Sequence, residues 1–496
     1  MPVSETESRT ACQRRTAVWS ASAGAICALL VAASGVVTLA AQTPNPTSKA
    51  NPYYGSVTLK PATDEALHLS LDDAIQRGFQ NNLGLKEAEN AERAVHAQRM
   101  QALQEFLPTI TLTGDTGFYQ HNLAAQGFGP GLIGKFGGLF GGGGTPNISL
   151  ITRDTLTEGQ IHFDQILFSG PVLAAWKAAG AATQVAHFSK MTARGEVVQQ
   201  VATAYLHAVA AASEVDDAKA LERADLVQLN HAHEEHVAGV ATNLDEIRAK
   251  VQYQSQQQVT IAAQNALDKD LILLKREIGI DPGQNVELTD RTPFSDLELQ
   301  SPEELRAQAY RNRQDYQNLL NQIVELKAAN KAYRSQRLPT LSFSGNYGVQ
   351  EISTVGSHGT FAAVGVLSFP IFREAGLRGD IDASQAQLDA ARAQVEDVRV
   401  RIDQQVRSAL LDAAAARKLV DVSRSNLELA TRALSDETER VQAGVDNTLP
   451  LVTAQATLAA AQSTLVESLY QYNLSKLALA RATGVIEAQY RVYLGK

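Results

Sequence analysis

Leu107-Pro-Thr-Ile-Thr-Leu-Thr-Gly114 returns as Leu338-Pro-Thr-Leu-Ser-Phe-Ser-Gly345, an offset of 231 (338 minus 107). In each copy a helical stretch runs up to the proline. The residue before proline is pushed out of the helical region, so the helix must end there. Behind the proline the residues alternate. Ile110, Leu112 and Phe118 share one parity, and Thr109, Thr111, Thr113 and Asp115 share the other. In the second copy Leu341, Phe343, Tyr347 and Val349 oppose Ser342, Ser344 and Asn346. Both read as strands with one apolar and one polar face.

The duplication extends outward from these strands. The preceding helices are expected over 70–106 and 302–337, the second with proline at its first position. At the far ends, Ala238-Gly239-Val240 aligns with Ala443-Gly444-Val445 and Ile278-Gly279 with Thr483-Gly484, both at an offset of 205 (444 minus 239). Each half therefore reads as helix, strand, loop, strand, long helix, glycine break and shorter helix. The first loop, 120–158, is aperiodic and Gly-rich from Gly127 to Gly144; the second, 350–359, is short. Two further strands follow, over 159–168 and 360–369. Ile161 and Phe163 alternate with Gln160, His162 and Asp164 in the first, whereas the second is apolar on both parities and its facing stays open. The long helices, 172–237 and 374–442, would each be about 100 Å in length. Helices 243–278 and up to Ala482 return from the breaks. The chain divides into 1–41, a 42–65 linker, a first repeat 66–280, an irregular connector 281–300, a second repeat 301–484 and a 485–496 tail.

Composition narrows the function. The net charge is −9, with 44 basic and 53 acidic residues and no basic run, so nucleic acid is not an expected partner. Arg9, Arg14 and Arg15 precede an apolar run from Ala17 to Ala41, the pattern of an export signal, with a membrane anchor as the alternative. Cys12 and Cys27 both fall inside it, so a processed chain would have no disulfide and no thiol chemistry. No nucleophile–base pair or cofactor motif is visible, so neither an enzyme, a cofactor nor a resident metal is expected. The Gly-rich loop lacks the Gly-Lys-Ser/Thr ending of a phosphate cradle. His231, His233 and His236, with Glu234 and Glu235, read as a solvated face; a metal or pH-sensing site is the sharper alternative, but the spacing is not the i, i+4 pair of a zincin.

Strands of about ten residues with alternating faces suit an outer-membrane bilayer, although a soluble hairpin predicts the same alternation. Aromatic residues near the strand ends (Phe118, Tyr119, Phe168, Tyr347, Phe361, Phe369) favour the membrane. Four strands cannot close a barrel, and an open edge in lipid leaves backbone groups unpaired. The chain must then borrow strands from copies of itself. Three copies give twelve strands, with Thr109, Thr111, Thr113, Asp115, Ser342, Ser344 and Asn346 toward the lumen. The expected class is an α+β membrane protein in which a duplicated unit supplies four strands and long coiled-coil helices. A homotrimer then forms a 12-stranded barrel at one end, continued by an α-helical barrel at the other.

At this point the chain resembles the TolC-like outer-membrane efflux proteins. The resemblance covers about residues 65–485 and rests on the repeated helix–Leu-Pro-Thr–strand units and two break motifs. Those are Val237-Ala-Gly239-Val-Ala-Thr-Asn-Leu-Asp245 and Val441-Gln-Ala-Gly444-Val-Asp-Asn-Thr-Leu-Pro450. It implies a passive trimeric exit duct in the outer membrane with a periplasmic extension. The partners it implies are outer-membrane lipid, a periplasmic adaptor and an inner-membrane transporter, in a tripartite efflux or type I secretion system. It also implies that the breaks are hairpin tips touching the adaptor: Gly239, Val240, Leu244 and Asp245 on one, Gly444, Val445 and Leu449 on the other. Family members latch the entrance by pairing an Arg after the second glycine with the Asp of the first tip. Here that Arg position is Asp446, and the acidic positions that members carry further along the second hairpin are Pro450 and Thr453. Two carboxylates repel rather than latch, so a looser entrance, or one closed mainly by apolar side chains such as Leu244 and Leu449, is expected in place of an Asp245 latch. A periplasmic adaptor would need a single hairpin with β-rich flanks, and a coiled-coil structural or surface protein would lack matched amphipathic strands.

Overall fold

A computed structural model of the chain describes residues 49–57, 61–122, 151–240, 242–290, 295–298, 300–353, 356–443 and 448–494. The expected export segment and residues 123–150 of the Gly-rich loop lie outside them. The elements follow the duplicated order. The first half holds β1 (Leu67–Leu69), α1 (Leu71–Asn81), α2 (Leu83–Gln104), β2 (Thr109–Asn122), β3 (Ile151–Phe168), α3 (Gly170–Val237) and α4 (Asn243–Ile278). The second holds β4 (Val286–Leu288), α5 (Pro302–Asn312), α6 (Gln314–Ser335), β5 (Thr340–Ile352), β6 (Gly356–Ser368), α7 (Glu374–Gln442), α8 (Thr448–Ala482) and α9 (Ile486–Leu494). Two compact units result, and the borders between them fall within helices.

One unit takes in 96–181 and 324–388. Its sheet is antiparallel throughout, in the order β2-β3-β5-β6. The strands outrun the sequence reading. Residues 120–122 and 151–158 belong to the ladder, paired from Asn122↔Ile151 to Asp115↔Glu158. Thr152, Arg153, Asp154, Thr155, Thr157 and Glu158 are polar on both parities, so side-chain alternation gives no cue there and backbone pairing alone extends the strand. The second loop shrinks likewise, because β5 runs to Ile352 and β6 starts at Gly356.

The other unit takes in the described residues up to 95, then 182–323 and 389–494. Its core gathers Leu69, Ile75, Val197, Val201, Tyr205, Ile278, Ile402, Val406 and Leu494. On α7 the buried positions Ala391, Val395, Val398, Ile402, Val406, Ala409, Ala413 and Ala416 advance in steps of three and four, a coiled-coil seam. Three expectations change here. Helix 70–106 is broken at Asn82 and helix 302–337 at Arg313, again 231 apart (313 minus 82). Asn82 ends α1 with extended backbone, while its Oδ1 accepts from the Gly84 and Leu85 amides and so caps α2. The 281–300 connector contains β4, which pairs in parallel with β1 from Leu67↔Val286 to Leu69↔Leu288. The 485–496 tail contains α9, anchored by buried Tyr490, Tyr493 and Leu494.

Candidate functional site

Pairing across the sheet sorts its side chains into two faces. Thr111, His162, Asn346 and Ala362 form one row, and Thr109, Asp164, Ser344 and Val364 the next. Thr113 and Asp115 oppose Gln160 and Glu158 on the same face, and Ser342 opposes Ile166 and Val366. All seven strand residues expected on a polar face therefore share one. The other face carries Ile110, Leu112, Ile161, Phe163, Tyr347 and Phe361. Leu112 is 79% exposed and Phe361 75% exposed, so this apolar face has no cover among the described residues. The register also settles β6: Phe361 and Leu367 lie with the apolar rows, Thr360 and Ala362 with the polar ones.

The polar face is tied laterally. Thr113 Oγ1 lies 2.9 Å from His162 Nε2, and Asn346 Nδ2 donates to Gln160 Oε1 at 2.7 Å. Gln160, only 9% exposed, stands between them. On the opposite face, in the parity of Ile110 and Leu112, the Thr116 and Thr157 hydroxyls meet at 2.9 Å nearer the far end of the same strands. Cross-strand bonds of this kind hold register without apolar packing.

The first helix break is a tight tip. Gly239 has φ +75, a left-handed conformation that an L side chain would strain. Its amide donates to His236 O at 3.0 Å and the Val240 amide to Glu235 O at 2.9 Å, the double bond of a Schellman cap. Thr242 then starts α4 with a capping box: Asp245 accepts from the Thr242 hydroxyl at 2.6 Å and from its amide at 3.2 Å. These bonds, with Arg248 at 3.6 Å, hold the Asp245 carboxyl below its ordinary range. Val237, Val240 and Leu244 stay exposed around it, Val240 at 79%.

The histidines do more than face solvent. His233 Nδ1 lies 2.8 Å from Glu246 Oε1, and His236 Nδ1 meets the other carboxylate oxygen, so Glu246 of α4 clasps the end of α3. Hydrogen bonds from His233 and then His236 lower the Glu246 carboxyl from its usual range. His231 pairs with Glu235 one turn on, at 3.4 Å. Sequence reasoning missed Glu246, although its place beside Asp245 in the first turn of α4 was the available cue. Among the described residues no group of three or more His, Cys, Asp or Glu side chains is placed to hold a metal ion. At the second tip, Gly444, Val445 and Asp446 lie outside the described residues, while Leu449 and Pro450 occupy the first turn of α8. A proline there lacks only an amide hydrogen that the helix does not use.

Comparison with known proteins follows the same division. The family described as outer membrane efflux protein matches residues 74–279 and 305–485, the two repeats. Nodulation protein T of Rhizobium leguminosarum bv. trifolii is 22% identical over 419 residues, covering 81% of this chain and 82% of its own. The pyoverdine export outer membrane protein OpmQ of Pseudomonas aeruginosa is 24% identical over 401 residues, 80% of this chain and 81% of its own. In fold, the Campylobacter jejuni CmeC outer membrane channel aligns with a TM-score of 0.67 at 14% identity, over 88% of this chain and 92% of that one. No helix among the described residues is long and apolar enough to cross a membrane, which says nothing of a β-barrel.

Proposed function

Because the chain belongs to the outer membrane efflux protein family, we propose that three copies form a passive outer-membrane exit duct. Twelve strands close a barrel whose polar rows line an aqueous lumen, and the helix tips extend into the periplasm. There they receive an adaptor that couples the duct to an inner-membrane transporter. The observation that carries this reading is the sheet. It is two-faced and, among the described residues, bare on its apolar side and bounded by two unpaired edges, β2 and β6. In lipid those edges need partners, and only a ring of identical chains supplies them to every copy. The strands are 13 to 18 residues long, more than the roughly 9–11 that a tilted crossing requires. Membership of a family of channels supports a non-enzymatic role. The relative named for pyoverdine export supports outward transport; the choice of substrate falls to the transporter.

The test is extraction from outer membranes in mild detergent followed by light scattering. A protein mass of three chains and ion conductance in a planar bilayer are expected, and a soluble or monomeric product rejects the reading. The entrance is proposed to be held by apolar tip residues, since Thr242 and Arg248 already occupy the Asp245 carboxylate. Conductance should then exceed that of an ion-latched member. A pore as tightly shut as such a member would sink the idea.

A further inference from the structure

Pro370-Ile371-Phe372 links β6 to α7, with Ile371 91% exposed and Phe372 93% exposed. No other large apolar side chains among the described residues stand as bare. Elsewhere in the same unit, the end of α2 and the start of α3 enclose a cavity of about 290 Å3. It is lined by His96, Ala97, Arg99, Met100, Leu103 and Trp176. The Arg99 guanidinium lies 5.9 Å from the Trp176 ring centroid, and Met100 is 65% exposed.

Topology relates the two features. The cavity belongs to the segment entering β2, one edge of the sheet, and the apolar pair to the segment leaving β6, the other edge. Pairing carries Thr109 to Asp164, β3 on to β5, and Thr340 to Ser368, so both features lie at the same end of the strands. Strand directions alternate, so β6 of one copy meets β2 of the next in antiparallel sense without any change of order.

The duplication says what should happen at that junction. Phe372 repeats Phe168, each two residues before its long helix begins at Glu374 or Gly170. The first junction is partly covered within the chain, by the end of α6 and Leu338 just beyond it: Ser169 is buried and Phe168 47% exposed, half the exposure of Phe372. A Cβ at Gly170 would stand 2.9 Å from Leu338 Cδ1 and 3.0 Å from Ser335 Cβ. Shifted by the 231-residue offset, Leu338 and Ser335 become Leu107 and Gln104, the end of α2. The second junction lacks that cover because β6 is an edge. Only another copy brings an α2 end beside it.

We propose that Phe372, backed by Ile371, seats in the Met100–Leu103–Trp176 cavity of the next copy around the ring. Each subunit thus offers a knob at one edge and a hole at the other. An apolar cavity of about 150 Å3 already admits benzene, so the space suffices for a phenyl ring and part of a second side chain. Arg99 gives the incoming ring a cation at the rim. This seating rests on the trimeric reading above.

The test is a Met100→Cys/Phe372→Cys double variant of the full chain, extracted in detergent and mildly oxidised. The chain has no cysteine of its own beyond residue 27. Linked dimers and trimers that collapse on reduction are expected, with none from either single variant. A three-chain mass by light scattering without links overturns the knob and hole, leaving Phe372 to lipid, while the trimer stands. A one-chain mass overturns the trimer and the seating with it. As a second measure, Phe372→Asp should lower the dissociation temperature of the trimer by about 10 °C and Phe372→Leu by only a few. Equal values for the two overturn the seating.

Discussion

The two halves of the chain end their returning helices alike and bury different chemistry beside those ends. Gly279 closes α4 at φ 76 and Gly484 closes α8 at φ 76. Each stands near the break between the paired helices of its half: Asn81 Nδ2 donates to Ile278 O at 2.9 Å, and Gly484 abuts the Asn312–Arg313 backbone. Two residues before each glycine the likeness fails, for buried Glu277 corresponds to buried Ala482. Conversely, fully buried Lys476 corresponds to Leu271. Duplication has preserved backbone punctuation, because a left-handed cap or a helix break admits few residues, while interior side chains have diverged within a fixed envelope.

The largest expected effect tests the punctuation. A Cβ at Gly484 would lie 2.6 Å from Arg313 N and 2.7 Å from Asn312 C, both backbone atoms that cannot swing aside. Gly484→Ala adds that collision to the cost of a left-handed L residue, about 3–4 kcal/mol together. Gly239, with φ +75, has open space around its would-be Cβ. Gly239→Ala should therefore cost only about 1 kcal/mol. Thermal unfolding of the two variants in detergent checks the ranking, and equal losses would show that packing at Gly484 is looser than described.

Next in size is the buried carboxyl. Glu277 is 2% exposed, accepts one bond from Gln200 Nε2 at 3.0 Å, and leaves Oε2 without a partner. Burial pushes its carboxyl up to about 8. The folded chain then holds a proton that the unfolded chain releases, so stability falls as pH rises from about 4.5 to 8. Lys476 acts in the opposite sense. Burial pulls its ammonium down to about 8, so stability rises with pH between about 8 and 10.5. Glu277→Gln should abolish the first slope, gain on the order of 3 kcal/mol at pH 8, and leave the second slope intact. Melting temperature measured across that range decides it. A Gln variant with the parental pH profile would remove Glu277 from the account.

Much of this was legible in the chain. Leu107-Pro108 and Leu338-Pro339 located the helix-to-strand junctions because proline acts locally, and the alternation behind them gave the polar face correctly. Three things were not legible, each for a physical reason. The break at Asn82 carried only a weak cue, an Asn pair with Gly84 two residues on, and Arg313 interrupts its helix with no glycine or proline beside it. The parallel pairing of β1 with β4 joins segments more than two hundred residues apart and only three residues long. Glu246 reads as an ordinary acidic residue in a helix first turn until the hairpin brings His233 and His236 against it.

The breaks give the next comparison. Asn82 is fully buried, caps α2 through Oδ1 and donates to Tyr53 O at 2.7 Å. Arg313 stands at the matching position with a different solution: its guanidinium grips Asp315 at 2.6 Å and 3.0 Å. Asn82→Ala removes a cap and orphans a carbonyl, costing about 1–2 kcal/mol. It should also expose residues 51–57 to protease, since that segment is tied through Tyr53. Arg313→Ala should cost about 1 kcal/mol or less, because Asp315 keeps the bond from the Tyr316 amide. Limited proteolysis with melting curves separates the two, and a more fragile Arg313 variant would reverse the assignment of cap and clamp.

The smallest effect is confined to the tips, where the halves also differ in titratable groups. His233, His236 and Glu246 align with Thr438, Val441 and Leu451, so those three positions of the second tip do not repeat the clasp. The groups facing Glu246 are the two imidazoles of α3, with Asp245 and Arg248 on its own helix and Glu235 one turn back along α3. The lowered Glu246 carboxyl makes the clasp complete above the ordinary carboxylate pKa of about 4.3 and loses it as pH falls through the folded value. Amide protection factors over 238–246 should therefore fall in acid while those over 448–451 hold relative to the rest of the chain. Glu246→Gln should give the first tip the faster exchange at every pH, with the melting temperature of the whole protein unchanged. If acid loosens both tips equally, the clasp is not what distinguishes them, and the difference between the halves at the entrance reduces to Asp446 and Pro450.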